Sequence, residues 1–222
     1  TGRGERLGGA GTTTDALAFG GGDGSASAKT EHYNGTSWSE GGDLGAANTN
    51  MGGCGTATSA LQFGGNPASN DTEEWTMPST WRQFDIGDIY YNADPGSGVM
   101  KYVGYGAGAW ASGGNTNTNR YSGAGYGLTN SAAGVASGYM GTAPTANNET
   151  YDGSAWTEVG NLNTARAYTG GSGSQTSALI FAGDERPANP TVPAVTVESW
   201  NGSAWTETTE MNTSVAEGYG AG

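Results

Sequence analysis

Basic residues are scarce in this chain. Eight Lys and Arg stand against 21 Asp and Glu, for a formal net charge of −13. Nucleic acid and anionic membrane surfaces both require a Lys/Arg footprint, so neither is expected as a partner. Cys54 is the only cysteine, which excludes an intrachain disulfide and a Cys-rich metal site. His32 is the only histidine, too few for an imidazole-built metal centre. No apolar run approaches the ~20 residues of a membrane-spanning helix, so no membrane insertion is expected. No stretch sustains a 3.6-residue apolar period with caps, and almost no helix is expected.

What is present is glycine, at 42 of 222 residues, together with 7 Trp, 11 Tyr and 4 Phe. Glycine alone would suggest low complexity. A disordered chain, however, is poor in aromatics, and here they recur at regular places. The composition therefore reads as short strands joined by many tight turns. Thr1 opens the sequence without an initiator Met, and the pattern is cut at both ends, so a processed chain or a fragment is expected.

The organisation is a repeat. Trp38, Trp110, Trp156 and Trp205 recur at steps of 72, 46 and 49, and an apolar position (Leu17, Leu61, Ala133, Leu179) at steps of 44, 72 and 46. One unit is therefore about 46 residues, a length that suits a four-stranded propeller blade. The units fall at about 1–44, 45–114, 115–162 and 163–212, with a fifth first strand over 213–222. The expected fold is all-β, a propeller or propeller fragment. Each unit starts with a Gly-rich strand, as in Gly170 to Ser174, where missing side chains permit crowding near an axis. An apolar strand follows (Leu17 with Phe19, Leu61 with Phe63, Leu179 with Phe181) and ends in Gly20-Gly21, Gly64-Gly65 or Ala182-Gly183. The third unit lacks the pair and reads Ala136-Ser137. A third strand carries Glu, one spacer and an aromatic: Glu31/Tyr33, Glu73/Trp75, Glu149/Tyr151 and Glu198/Trp200. Turns at Asn34-Gly35, Asp152-Gly153 and Asn201-Gly202 favour tight hairpins into the strand that opens at the repeated Trp.

Apolar residues leading into Gly-Gly, then an aromatic, a Trp and Leu-x-x-x-Arg (Leu162 to Arg166, with Thr116 in place of Leu before Arg120) resemble the kelch repeat. The likeness covers nearly all of the chain outside 76–106, and the aromatic-to-Trp step of 5 is slightly short of the usual kelch step. Phrases such as GSAWTEVGNLNTAR are similar to kelch-like arrays in structural proteins of marine bacteriophages. The resemblance implies a virion or extracellular location, in a tail, fibre or surface decoration. It also implies an oligomeric assembly with other virion subunits or a host-surface glycan or protein.

No enzyme, cofactor or metal is expected. Some kelch-fold proteins are copper oxidases, but one His beside Tyr33 cannot assemble their His and Tyr ligands. The phrase DGSAW resembles the Asp-box of sialidases with one spacer missing between Asp152 and Gly153, and Asp-boxes are structural turns. A sialidase also needs an Arg cluster. Arg3, Arg6, Arg82 and Arg186 are scattered, and Arg120 and Arg166 each follow a repeated Trp by ten residues, as parts of the repeat. Glu31, Glu73, Glu149 and Glu198 share a strand face with their aromatics. Recurrence in every unit favours caps that accept backbone N–H groups or pair with an Arg, over a ligand ring or paired glycosidase acids. The loops at Gly22-Asp23-Gly24 and Asn92-Ala93-Asp94 lack a calcium-loop pattern. Asn-x-Ser/Thr sequons start at Asn34, Asn70, Asn148, Asn201 and Asn212. The expected function is a structural or interaction module; a carbohydrate-binding propeller is the alternative, and a glycan-cleaving enzyme the third reading.

Residues 76–106 interrupt the second unit. Trp75 fills the position of Tyr33 and Trp110 that of Trp38, so the aromatic-to-Trp step grows from 5 to 35. Ile86 to Tyr91 and Val99 to Val103 are β-prone, and Asp94-Pro95-Gly96-Ser97-Gly98 supplies turn chemistry. A hairpin is expected, with Ile89, Tyr90, Tyr91, Met100 and Tyr102 as a candidate interface, because a lone hairpin is marginal in water. The alternatives are packing against its own propeller and a junction between two arrays near Pro78. Trp38, Trp156 and Trp205 are expected in equivalent, largely buried sites.

Overall fold

Alternation of small and apolar residues between turn signals dictates short strands, and strands are what form. A computed structural model describes residues 7–22, 24–77, 89–91, 100–102, 108–185 and 193–218. Among them the chain is all-β and holds no helix. The first sheet comprises β1 (Gly8–Gly11), β2 (Ala16–Phe19), β3 (Thr30–Tyr33) and β4 (Trp38–Glu40), paired in that order. The second has β5 (Gly52–Thr56), β6 (Ser59–Phe63) and β7 (Thr72–Thr76). A separate two-stranded hairpin follows, β8 (Ile89–Tyr91) with β9 (Met100–Tyr102), and then β10 (Ala109–Ser112) completes the second sheet beside β7. The third sheet is β11 (Ala124–Thr129), β12 (Ala132–Ala136), β13 (Asn148–Tyr151) and β14 (Trp156–Glu158), and the fourth is β15 (Gly170–Ser174), β16 (Ser177–Phe181), β17 (Val197–Trp200) and β18 (Trp205–Glu207). Four sheets of four antiparallel strands, one per repeat, are a propeller-like arrangement.

Register makes the repeat physical. Each aromatic of the third strand faces its Trp across the ladder: Tyr33 opposite Trp38, Trp75 opposite Trp110, Tyr151 opposite Trp156 and Trp200 opposite Trp205. The pairing of Trp75 with Trp110 holds across the interruption. Within the interruption, Ile89 pairs with Tyr102 and Tyr91 with Met100. The side chains of this candidate interface, and Ile86, Val99 and Val103, lie outside the described residues.

The sheets follow one another side by side, closest at their first strands. A Cβ on Gly125 would stand 2.6 Å from the Gly53 carbonyl oxygen, and one on Gly171 would stand 2.8 Å from that of Gly125. Only hydrogen fits there. Farther out, larger side chains fill the space between sheets. Leu17, Phe19, Ala60 and Trp75 form one buried cluster; Leu61, Phe63, Val135 and Trp156 a second; Tyr126, Ile180, Trp200 and Trp205 a third.

The third unit corrects the sequence alignment by one residue. Gly127 pairs with Ala133 as Gly55 does with Ala60, so Gly134 and not Ala133 stands where Leu17, Leu61 and Leu179 stand. A one-residue slip moves a side chain to the other face, and Ala133 indeed joins the cluster on the side of Leu61. The Gly-Gly position is likewise Ser137-Gly138. Ser137 (φ 65°) and Ala182 (φ 61°) adopt the left-handed backbone of Gly20 (φ 62°) and Gly64 (φ 66°).

A second correction concerns Trp38. Trp156 and Trp205 are each 6% exposed, whereas Trp38 is 52% exposed. The cause is positional: buried Trp rings pack on the preceding sheet, and no described sheet precedes the first. Trp156→Ala should therefore cost ~3–5 kcal/mol by leaving a cavity, while Trp38→Ala should cost less than ~1 kcal/mol. Urea midpoints of the two variants measure the contrast.

Candidate functional site

The recurrent carboxylates are the residues most able to do chemistry, and the strand period decides where they go. Glu149 and Glu198 share a face with Tyr151 and Trp200 and are 0% exposed. A buried carboxylate must be compensated by hydrogen bonds and charge. Glu149 Oε2 accepts from the Asn117 backbone N–H (2.6 Å) and side-chain amide (3.0 Å), and Oε1 accepts from Thr118 N–H (3.2 Å) and the Arg120 guanidinium. Glu198 repeats the pattern with Asn163 N–H (2.7 Å), the Asn163 amide (2.9 Å) and Arg166 Nη2 (3.0 Å). Glu73 accepts from Gly45 N–H at 2.7 Å. Glu31 is half-buried. Every donor to these three carboxylates lies on the linker that enters the sheet, so each carboxylate ties its sheet to the chain arriving from the one before.

Arg120 and Arg166 complete the tie. Arg120 Nη1 donates to the Ser137 and Asn147 carbonyls, both at 2.9 Å, and Arg166 Nη1 to those of Ala182 (2.9 Å) and Thr196 (2.8 Å). Ser137 and Ala182 are the left-handed residues, and their turned carbonyls are held by the guanidinium. Burial lowers the Arg120 pKa and Glu149 opposes the shift; at 1% and 0% exposure Arg120 and Glu149 form a closed pair. In the second unit Asn48 stands in for the arginine, and its amide donates to the Gly64 carbonyl at 2.8 Å. Sequence reasoning missed Asn48, Asn117 and Asn163. The signal was there: Asn48 closes a Leu-x-x-x-Asn run from Leu44, and the other two directly follow Thr116 and Leu162 of the Leu-x-x-x-Arg element.

The recurrent Trp residues bridge sheets. Trp110 Nε1 donates to Thr30 Oγ1 (2.9 Å) and Trp156 Nε1 to Thr72 Oγ1 (3.1 Å), each across to the previous sheet. Asn148 takes the corresponding place in the third sheet, but its Oδ1 accepts from Tyr126 Oη at 2.6 Å, and Trp205 Nε1 is left without a described partner. Burial and these bonds close Glu149, Glu198, Arg120 and Arg166 to solvent, whereas Glu31 and Glu73 are half-buried.

Elsewhere the candidates are local. His32 Nε2 lies 2.6 Å from Asp15 Oδ1, on the hairpin turn beside it. Cys54 is buried, and burial pushes its thiol up to about 12, so the reactive thiolate is suppressed. Asn148 is 0% exposed, which closes that sequon in the folded chain. Among the described residues no three His, Cys, Asp or Glu side chains converge; Arg3, Arg6, Arg82, Arg186, Asp23 and the loop 92–94 lie outside them. A cavity of about 800 Å³ runs between the four Gly-rich first strands, with Asn50, Ser122 and Tyr168 at its wall. These three residues are linked in series, Ser122 N–H to the Asn50 carbonyl (2.8 Å) and Tyr168 N–H to that of Ser122 (2.9 Å). Much of the cavity wall is therefore backbone and glycine.

Turns at the sheet rims use a side chain as their lock. Asp152 Oδ1 accepts from Ser154 and Ala155 N–H, both at 2.9 Å, as Asn201 Oδ1 does from Ser203 (3.0 Å) and Ala204 (2.9 Å). The bonds from Ala155 and Ser154 hold the Asp152 carboxyl below its ordinary range.

Two outcomes follow from this geometry. Arg120→Met should cost ~3–5 kcal/mol in urea unfolding, because Glu149 is left buried without its cation. Asp152 has a folded pKa below its unfolded value of ~3.9. Its stabilisation is present above that value and lost as pH falls through the folded pKa. Asp152→Asn keeps the lock, as Asn201 does, and should gain in melting temperature relative to the parent chain as the pH is lowered through that window. No family model matches this chain, and no curated protein matches it either.

Proposed function

We propose that the chain is a non-enzymatic structural or interaction module, a kelch-like propeller or an arc of one. In this reading it belongs to a bacteriophage virion and presents loops and sheet faces to other subunits or to a host surface. One observation carries the non-enzymatic part: the deepest recurrent carboxylates are spent on joints. A catalytic acid or base must reach substrate, whereas Glu149 and Glu198 are 0% exposed and bonded to linker N–H groups and guanidinium. A role repeated from unit to unit is architectural. The acidic surface, at a net charge of −13, favours solubility and self-repulsion over nucleic-acid contact. The virion part rests on the resemblance of the repeat phrases to phage structural arrays.

Two measurements test the reading. Peptides of this chain should be recovered from washed phage particles purified from cultures that carry the gene; recovery from the soluble lysate alone overturns the virion assignment. The purified chain should leave a fluorogenic glycoside panel unhydrolysed and a glycan array unbound. Hydrolysis would install the enzyme reading, and array binding lost in Trp38→Ala would install the carbohydrate-binding one.

A further inference from the structure

Three joints inside the molecule state what a sheet face of this template takes as its partner. In each, the Trp of the later sheet stands on an aromatic ring of the earlier one: Trp110 on Phe19 (4.9 Å), Trp156 on Phe63 (5.7 Å) and Trp205 on Tyr126 (6.0 Å). Among the described residues, the first and fourth sheets carry the two unmatched halves of that joint. On the first, Trp38 is 52% exposed beside the Tyr33 ring. On the fourth, Leu179 is 43% exposed and Phe181 half-buried, in the register that Leu17 with Phe19 and Leu61 with Phe63 hold inside the molecule.

A second observation, independent of the rings, points the same way. Gly53, Gly125 and Gly171 are glycines because the preceding sheet is too close for a Cβ. Gly9 occupies the same register position in the first sheet, yet it is exposed, and a Cβ there would meet only the carbonyl of Leu17 in its own hairpin, at 3.6 Å. Nothing described in this molecule requires glycine at that position. A sheet arriving with its own carbonyl row, as the fourth sheet does at Gly171, would require it.

We propose that the two faces bind each other between copies of this chain: the fourth sheet of one molecule receives the first sheet of another. Trp38 of the second copy stands on Phe181 and Leu179 of the first, and Gly9 stands against the first strand of the fourth sheet. The contact is head-to-tail, so it builds a closed ring if the rotation closes and an open filament if it does not. Val197 takes the position of Thr30 and Thr72 at this face, so Trp38 Nε1 gains no hydroxyl there, a condition that Trp205 Nε1 already tolerates in its own joint. The association follows from the joint chemistry and does not depend on the virion reading.

Sedimentation velocity of the whole chain over a concentration series tests it. The parent chain should shift to dimers or longer assemblies as concentration rises. Trp38→Ser, Gly9→Val and Leu179→Asp each alter an exposed residue, so each should keep the parent's circular dichroism and remain monomeric. An equimolar mixture of Trp38→Ser and Leu179→Asp should recover a 1:1 dimer, because one retains a working tail and the other a working head. A parent chain that stays monomeric throughout overturns the proposal; so does a Leu179→Asp variant that still dimerises alone, which would mark a symmetric head-to-head contact.

Discussion

The closeness of neighbouring first strands is the constraint from which the other features of this fold descend. With 2.6 Å between a Cβ on Gly125 and the Gly53 carbonyl, no residue other than glycine lets those strands pass at that distance. Two twisted sheets that touch along their first strands diverge farther out, and the gap must be filled at near-crystalline density. The order of residue sizes along the first, second and fourth units meets that demand: glycine on the first strand, Leu and Phe on the second, Tyr or Trp on the third, Trp on the fourth. Aromatic bulk belongs where the wedge is widest. The buried carboxylates and guanidinium groups then solve a separate problem, which is how a linker crosses between sheets without leaving its backbone N–H groups unbonded.

The third unit shows how much freedom this scheme allows. Phe19 and Phe63 each lie over a glycine of the facing first strand, Gly8 and Gly52, where a Cβ would come within 2.2 and 2.0 Å of the ring. In the third sheet the phenylalanine position is Ala136, and its opposite number is Ala124. The ring has moved to the first strand as Tyr126, and the glycine has moved to the second as Gly134, where a Cβ would meet Tyr126 Cζ at 2.1 Å. Ring and glycine exchanged strands together. The exchange brings a phenol where a phenyl ring had been. Burial raises the pKa of Tyr126, and its hydroxyl needs an acceptor, which Asn148 provides. The cost falls on Trp205, whose Nε1 loses the partner that Thr30 and Thr72 give its counterparts.

Much of this was legible before any coordinates. The period, the strand content and the aromatic-to-Trp register follow from local spacing, so the pairing of Trp75 with Trp110 could be read across 35 residues. The ties at Glu149 and Glu198 were foreseeable as a class, because a buried carboxylate must find donors. What failed was register in the third unit. Ala133 and Gly134 are both small, and once Tyr126 had taken over the ring's role, no apolar residue marked which of them faced the next sheet. The left-handed position was hidden for a related reason: Gly20 and Gly64 advertise it, while Ser137 and Ala182 adopt it with their carbonyls held by an arginine 17 and 16 residues earlier in the chain. The exposure of Trp38 could not be read from its repeat position at all. Burial at that position is a property of the neighbour, and a repeat pattern describes the unit.

That last distinction governs how stability is distributed. In a repeat protein each unit contributes an intrinsic term and each joint an interface term, and here the joints hold the large rings. The second and third sheets have two joints each, and the first and fourth have one each among the described residues. Trp38 and Leu179 mark the missing ones. The terminal sheets are therefore the weakest units and should exchange amide hydrogens first. The segment after the fourth sheet already follows the path of the earlier linkers: Val215 bridges Ala194 as Arg166 bridges Thr145, and Gly218 N–H reaches the Tyr168 carbonyl at 2.8 Å. Val215 stands where Arg120 and Arg166 stand in two earlier linkers, and where Asn48 stands in the linker into the second sheet, so the segment leaving the fourth sheet carries no guanidinium at this position. That segment keeps the backbone path of the earlier linkers, and the fourth sheet's apolar face is exposed at Leu179.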